Sequence, residues 1–138
     1  MAFEYSRRSH FYETDLMGIV HHSNYLRFLE EARVAWLRER KIDHLHGPDA
    51  GCYFAVLSTE VKHLKPVYFE EVFKVELETR LEGVVMTFQY RLTTSRYTEP
   101  CLVAKTTHVP VNNEMKVLKL NKNIREVFKR EKWTETWL

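Results

Sequence analysis

Between Phe73 and Thr93 the chain alternates. Phe73, Val75, Leu77, Thr79 and Leu81 are separated by Lys74, Glu76, Glu78 and Arg80, the period of a strand with one buried face. Glu82-Gly83 is a short turn. Val84, Met86, Phe88, Tyr90 and Leu92 then interleave with Thr87, Gln89, Arg91 and Thr93 as a returning strand. Ser95–Pro100 turns the chain again, and Cys101–Val111 is a further β-rich stretch. Upstream, Tyr53–Phe69 is a long strand-like run with a bend expected near Pro66. The aromatics Phe3, Tyr5, Phe11 and Tyr12 mark Phe3–Tyr12 as a first strand.

A different period lies between these strands. Tyr25, Leu26, Phe28, Leu29, Ala32, Ala35, Trp36 and Leu37 recur at spacings of three and four, which predicts a helix over Ser23–Arg40. Ser23 and Asn24 are both suited to its N-cap. Its acids lie toward the front and its bases toward the end, as the macrodipole favours. The apolar arc is wide, so the helix should be well covered. Thr14–Ile19, with Gly18 as its flexible point, and His46–Gly51 are loops. After a turn at "VNNEMK", Leu120, Ile124, Val127 and Phe128 mark a short amphipathic helix.

Strand, long helix, four strands joined mainly by short turns, and a short helix make a two-layer α+β domain. Short turns impose antiparallel pairing. A sheet curled around one helix leaves edges, so an oligomer is expected. At 138 residues the chain is one domain, 1–138, with no repeat or linker. Its net charge of +2 does not argue for a nucleic-acid partner. The bases Lys116, Lys119, Lys122, Arg125, Lys129, Arg130 and Lys132 crowd the C-terminal stretch, either as a solvated face or as a landing surface for a polyanion. Cys52 and Cys101 form neither a disulfide framework nor a metal spacing. Reduced thiols in a cytoplasmic protein are expected. The N-terminus lacks the apolar region of a signal peptide, and no apolar run approaches the ~20 residues of a membrane span.

The candidate chemistry sits in "FYETDLMGIVHHSNYLRFLEEAR", Phe11–Arg33. Asp15, His21 and His22 invite a metal reading. Adjacent histidines should project apart, however, and His10, His44, His46, His63 and His108 supply no third ligand at a useful spacing. No G-x-S-x-G, reactive-cysteine context or Gly-rich phosphate loop is present. What survives is a carboxylate beside a helix N-terminus. The first N–H groups of a helix lack internal partners and carry partial positive charge, so they can hold a developing oxyanion. A nearby carboxylate can deprotonate water or attack a carbonyl. On residue types alone, a loop-capping role for Asp15 is favoured over a catalytic one.

The run Thr14, Asp15, Gly18, Ile19, Val20, His21, His22, Ser23, Asn24 and Tyr25 resembles the signature of the 4-hydroxybenzoyl-CoA thioesterase family of hotdog-fold acyl-CoA thioesterases. "KHLKPVYFEEVFKVE", Lys62–Glu76, resembles the second block of that family. The resemblance implies a hotdog fold, an antiparallel sheet of about five strands wrapped around one long central helix. It implies hydrolysis of an acyl-CoA to a carboxylic acid and CoA, with no cofactor and no metal. Subunits of the family pair edge to edge, so a homodimer or homotetramer with active sites at the subunit interface is implied. Asp15 takes the place of the catalytic carboxylate, as general base or as nucleophile. His22 takes the place whose backbone N–H polarises the thioester carbonyl. Gly18 and Tyr25 fall at substrate-binding positions.

One position departs from that pattern. Relatives with a histidine at the His22 position commonly carry tyrosine four residues before the aspartate; here that residue is Phe11, with Tyr12 beside it. Adjacent strand residues face opposite sides, so Tyr12 should not stand in for it. CoA brings several negative charges, and Lys62, Lys65, Arg91 and Lys105 are available without any one being singled out. A hotdog hydratase or dehydratase and a non-catalytic acyl-binding protein are the rival readings.

Overall fold

The computed structural model describes residues 2–138. Its elements are β1 (Phe3–Arg8), α1 (Ser23–Glu39), β2 (Tyr53–His63), β3 (Val72–Glu82), β4 (Val85–Thr94), β5 (Leu102–Val111) and α2 (Lys122–Arg130), with single 3₁₀ turns at Phe11–Glu13, Asp43–Leu45 and Pro48–Ala50. The five strands form one antiparallel sheet in the order β1-β3-β4-β5-β2. The β3–β4 hairpin pairs Leu77 with Tyr90, and β4–β5 pairs Tyr90 with Ala104. Helix α1 packs on the inner face. The α+β architecture and the helix within a curved sheet agree with the expectation from the sequence.

The period-two apolar positions close the core. Phe28 of α1 stacks on Phe73 of β3 with ring centroids 4.5 Å apart. Trp36 meets Phe88 of β4 at 5.5 Å and Phe128 of α2 at 5.2 Å, so α2 closes the far end of the layer. Its indole N–H donates to Glu131 at 2.6 Å. Leu26, assigned to the buried arc of α1 by spacing, is instead 48% exposed.

The ends of β1 and β2 and the cap of α1 differ from the sequence-based expectation. β1 ends at Arg8 because Ser9 leaves the ladder: its N–H donates to the Glu71 carbonyl and its hydroxyl to the Tyr68 carbonyl. Phe11 and Tyr12 therefore lie in a 3₁₀ turn, not a strand. β2 ends at His63, beyond which Leu64 and Lys65 both donate to the Cys101 carbonyl. Helix α1 has His22 as its N-cap with no capping side chain, and no acid in its first turn. The residues after α2 also cross the outer face of β3 and β4. Thr134 donates to Glu78, Trp137 N–H donates to Gln89, and the Trp133 ring lies 4.3 Å from the Arg80 guanidinium.

One polar chain crosses the seam between α1 and the sheet. Arg33 donates to the Tyr90 hydroxyl at 3.0 Å, Tyr90 bonds Thr106 at 2.6 Å, and Thr106 bonds His108 Nε2 at 2.9 Å. Burial, with the Arg33 charge nearby, pushes His108 down from 6.5 to about 4. The folded protein thus holds this imidazole neutral where the unfolded chain would protonate it. Its contribution to stability is complete above the unfolded value and is lost as pH falls from 6.5 through 4. Urea melts should show the stability gap between wild type and His108→Gln narrowing by on the order of 3 kcal/mol across that window. Parallel pH profiles for the two proteins would contradict the assignment.

Candidate functional site

The site is organised by Glu13. The residue is 5% exposed, and its carboxylate accepts two bonds from the Arg7 guanidinium, at 2.6 and 3.0 Å. It also accepts the His10 N–H at 2.8 Å. Burial alone would raise the Glu13 pKa, but these donors hold it below the usual carboxylate value. Arg7 is shared with Glu31 of α1 at 2.8 Å and lies 4.6 Å from the Phe28 ring centre. The Glu13 backbone carbonyl in turn accepts the His21 N–H at 2.9 Å and the buried Asn24 amide at 2.8 Å. The chain before the Asp15 loop is thereby tied to the start of α1.

Between these two anchors the loop closes on itself. Thr14 bridges Val20, Asp15 N–H donates to the Ile19 carbonyl, and Gly18 N–H donates to the Asp15 carbonyl. Gly18 takes φ +75°, and a Cβ there would meet nothing within 4 Å. Left-handed backbone, not close approach, accounts for the glycine. Gly18 lies outside the cavity lining. The loop is stitched to the segment after β2 by Ile19–Tyr68 pairing and by Val20 N–H on the Val67 carbonyl.

Asp15, His22 and Tyr25 come together in a cavity of about 330 Å³, with Ile19, Val20, Leu64 and Pro66 as apolar wall. Asp15 Oδ1 accepts the Met17 N–H at 2.8 Å. Among the described residues its Oδ2 has no protein partner. At the helix start, His21 N–H is taken by Glu13, Ser23 N–H by His21 Nδ1, Asn24 N–H by the His21 carbonyl and Tyr25 N–H by the His22 carbonyl. Among the described residues the His22 N–H has no protein acceptor. Tyr25 is 5% exposed, accepts the Val67 N–H at 3.3 Å, and is pushed up to about 12 by burial. Its phenol stays neutral and serves both the helix–sheet seam and the cavity.

Several details depart from the sequence reading. The His21 and His22 rings stack at 4.4 Å and do not project apart, because His22 is already helical in φ and ψ. Phe11 packs edge-on against Phe69 at 5.4 Å, and Tyr12 stacks on His10 at 5.2 Å. Both are about three-quarters exposed (74% and 79%), so the strand-face argument for them does not apply. His63, unassigned from sequence, lines the cavity with its ring 5.3 Å from Tyr25. Burial and the proximity of His22 lower its pKa. The periodicity of β2 alone could have placed it at the strand end, but only the fold sets that end against α1. Of the four bases, Lys65 lines the cavity while pairing with Glu99 at 3.7 Å; Arg91 is engaged by Glu76 at 3.0 Å and Lys105 by Glu60 at 3.6 Å. Among the described residues no three His, Cys, Asp or Glu side chains converge as metal ligands, and no helix is long and apolar enough to cross a membrane.

A half-free carboxylate and a helix-start N–H without a partner among the described residues, both on residues lining one apolar-walled cavity, make an arrangement suited to acyl transfer to water. The chain belongs to the thioesterase-like superfamily, whose description matches residues 9–131. A crystal structure of a protein of Aquifex aeolicus described only as hypothetical superposes with a TM-score of 0.83 at 36% identity, covering 91% of this chain and 98% of that one. The 1,4-dihydroxy-2-naphthoyl-CoA hydrolase of Thermosynechococcus vestitus is 29% identical over 111 residues, covering 77% of this chain and 73% of its own. The acyl-CoA thioester hydrolase YbgC of Escherichia coli is 25% identical over 97 residues, covering 70% of this chain and 72% of its own. The fold is the hotdog fold of this superfamily, and the protein is a hydrolase of the thioesterase class.

The site geometry depends on the Arg7–Glu13 pair. Glu13→Gln should lower stability by roughly 2 kcal/mol, less than a fully orphaned buried charge because Arg7 keeps Glu31. Urea denaturation checks this, and a change within about 0.5 kcal/mol would show that the pair does not anchor the loop.

Proposed function

We propose that this protein hydrolyses acyl-CoA thioesters to a free carboxylic acid and CoA, with Asp15 as the catalytic carboxylate and the His22 N–H as donor to the thioester oxygen. The observation that carries this reading is the pairing, in one cavity, of an unpartnered Asp15 oxygen with an unpartnered His22 N–H. The thioester carbonyl would sit at the helix start, where the N–H stabilises the charge that develops on oxygen. Asp15 then either takes a proton from water as that water attacks, or attacks the carbonyl itself to form an anhydride that water opens. In both routes the C–S bond breaks and the thiolate leaves as CoA.

Tyr25 and the apolar wall would bound the acyl group near the reacting carbon. Gly18 would act through the loop conformation that presents Asp15. Lys65 is the base best placed at the cavity for a CoA phosphate. The resemblance of Thr14–Tyr25 to the 4-hydroxybenzoyl-CoA thioesterase signature supports the assignment of roles. The acyl group is left broad, since the named relatives differ in theirs.

Pairing of two copies belongs to the same reading. β2 is a sheet edge, and Val56 and Leu57 on it are 56% and 58% exposed. An open edge with apolar side chains favours strand addition. Pairing there would make a homodimer, or a homotetramer of two such pairs, with the sites near the subunit interface.

The test is CoA release from a panel of saturated, aromatic and long-chain acyl-CoAs. Asp15→Asn, with folding and assembly verified, should lose roughly 10²–10⁴-fold in kcat on every substrate the wild type accepts. Equal rates for the two proteins would remove Asp15 from the reaction. Formation of a double bond or its hydration without CoA release would mark a hydratase, and tight binding with no turnover a non-catalytic carrier.

A further inference from the structure

A second cavity, of about 290 Å³, lies beside the C-terminal half of α1, away from Asp15. Val34, Leu37, Phe54 and Phe88 form its apolar wall; Arg33 and His108 bring polar atoms to it, and Glu30, His46 and Tyr53 complete the lining. A dry cavity of about 150 Å³ already holds a benzene ring, so a ring with one substituent fits this space.

Counting protons assigns the His108 tautomer. The Tyr90 hydroxyl has two partners, Arg33 and Thr106. Arg33 can only donate, so the Tyr90 proton goes to Thr106. Thr106 has Tyr90 and His108 Nε2 as its two partners, so its own proton goes to Nε2. The imidazole, held neutral by burial, therefore carries its proton on Nδ1. Among the described residues that Nδ1–H has no protein acceptor, and the fully buried side-chain atoms left without a partner are Thr79 Oγ1 and Arg80 Nε alone. The His108 Nδ1–H is therefore not sealed in the core but open to the cavity that His108 lines. Arg33 supplies a positive charge to the same wall. Glu30, at the solvent side of the same lining, is 4.0 Å from Arg33 with its side chain 69% exposed, so it engages the guanidinium only weakly. His46 is stacked on Phe54 at 4.8 Å, and burial lowers its pKa.

We propose that this cavity binds a small organic carboxylate, with its charge held by the Arg33 guanidinium and the His108 Nδ1–H and its apolar body against Phe54 and Phe88. The site is separate from the one built on Asp15 and does not depend on the thioester reading.

The experiment is NMR titration of the full-length protein with benzoate, with neutral benzamide as control, using ¹⁵N-labelled histidine and arginine. The free protein should show His108 as the Nδ1–H tautomer. Benzoate should shift the His108 Nδ1 and Arg33 Nε resonances in a saturable way, with Kd of about 1 mM. Benzamide should bind roughly tenfold more weakly, as should benzoate to Arg33→Gln, because a charge-assisted bond is lost in each case. Asp15→Asn should bind benzoate like wild type, whatever happens to its hydrolysis. The proposal fails if His108 is the Nε2–H tautomer or if no saturable shift appears by about 20 mM. It also fails if benzamide matches benzoate, if Arg33→Gln changes nothing, or if the shifts centre on His22 and disappear in Asp15→Asn.

Discussion

The buried pair of Arg7 and Glu13 is the contact on which the rest of the site depends. Glu13 joins two functions in one residue. Its carboxylate is held by Arg7 and the His10 N–H, while its carbonyl accepts from His21 and Asn24 at the start of α1. Arg7 completes the circuit by reaching Glu31 on the same helix. A charge this buried would be costly alone; here three donors surround it. The clamp also sorts the helix-start N–H groups. It takes the His21 N–H, while the next one, on His22, has no partner among the described residues.

The fold explains why the chemistry sits where it does. A helix laid on the sheet packs against β1, β3 and β4 but leaves its N-terminal end at the margin of the layer. There the loop 14–20 and the segment after β2 meet, and the 330 Å³ cavity opens between them. The far end of α1 is closed by Phe128 of α2 on Trp36, and the outer sheet face is crossed by the residues after α2. The helix N-terminus is thus the place where positive dipole, apolar wall and carboxylate coincide.

Much of this was legible from residue patterns. Period-two runs located β3, β4 and β5, and the three-and-four spacing located α1, because buried faces impose those periods directly. The Asp15 loop was legible as a motif, being local in sequence. The missed parts depend on contacts between distant residues. Phe11 and Tyr12 have strand-like composition, yet the Ser9 bonds to the Tyr68 and Glu71 carbonyls end the strand before them. Glu13 looks like any surface acid until Arg7 is brought against it. Asn24, read as a cap, spends its side chain on the Glu13 carbonyl. His63 gains meaning only when the end of β2 is set beside Tyr25. The stacked His21–His22 pair escaped notice because His22 already has helical backbone angles.

The central claim is that the clamp frees one amide, that of His22, to receive a carbonyl oxygen. Amide hydrogen exchange, followed by NMR with and without a non-hydrolysable acyl-CoA analogue in which methylene replaces sulfur, addresses it directly. In the free protein His21 should be protected by the Glu13 carbonyl while His22 exchanges faster. At saturation with the analogue, the His22 amide should become protected and His21 should change little. A His22 amide that stays as exposed as before, with the analogue bound, would contradict the account.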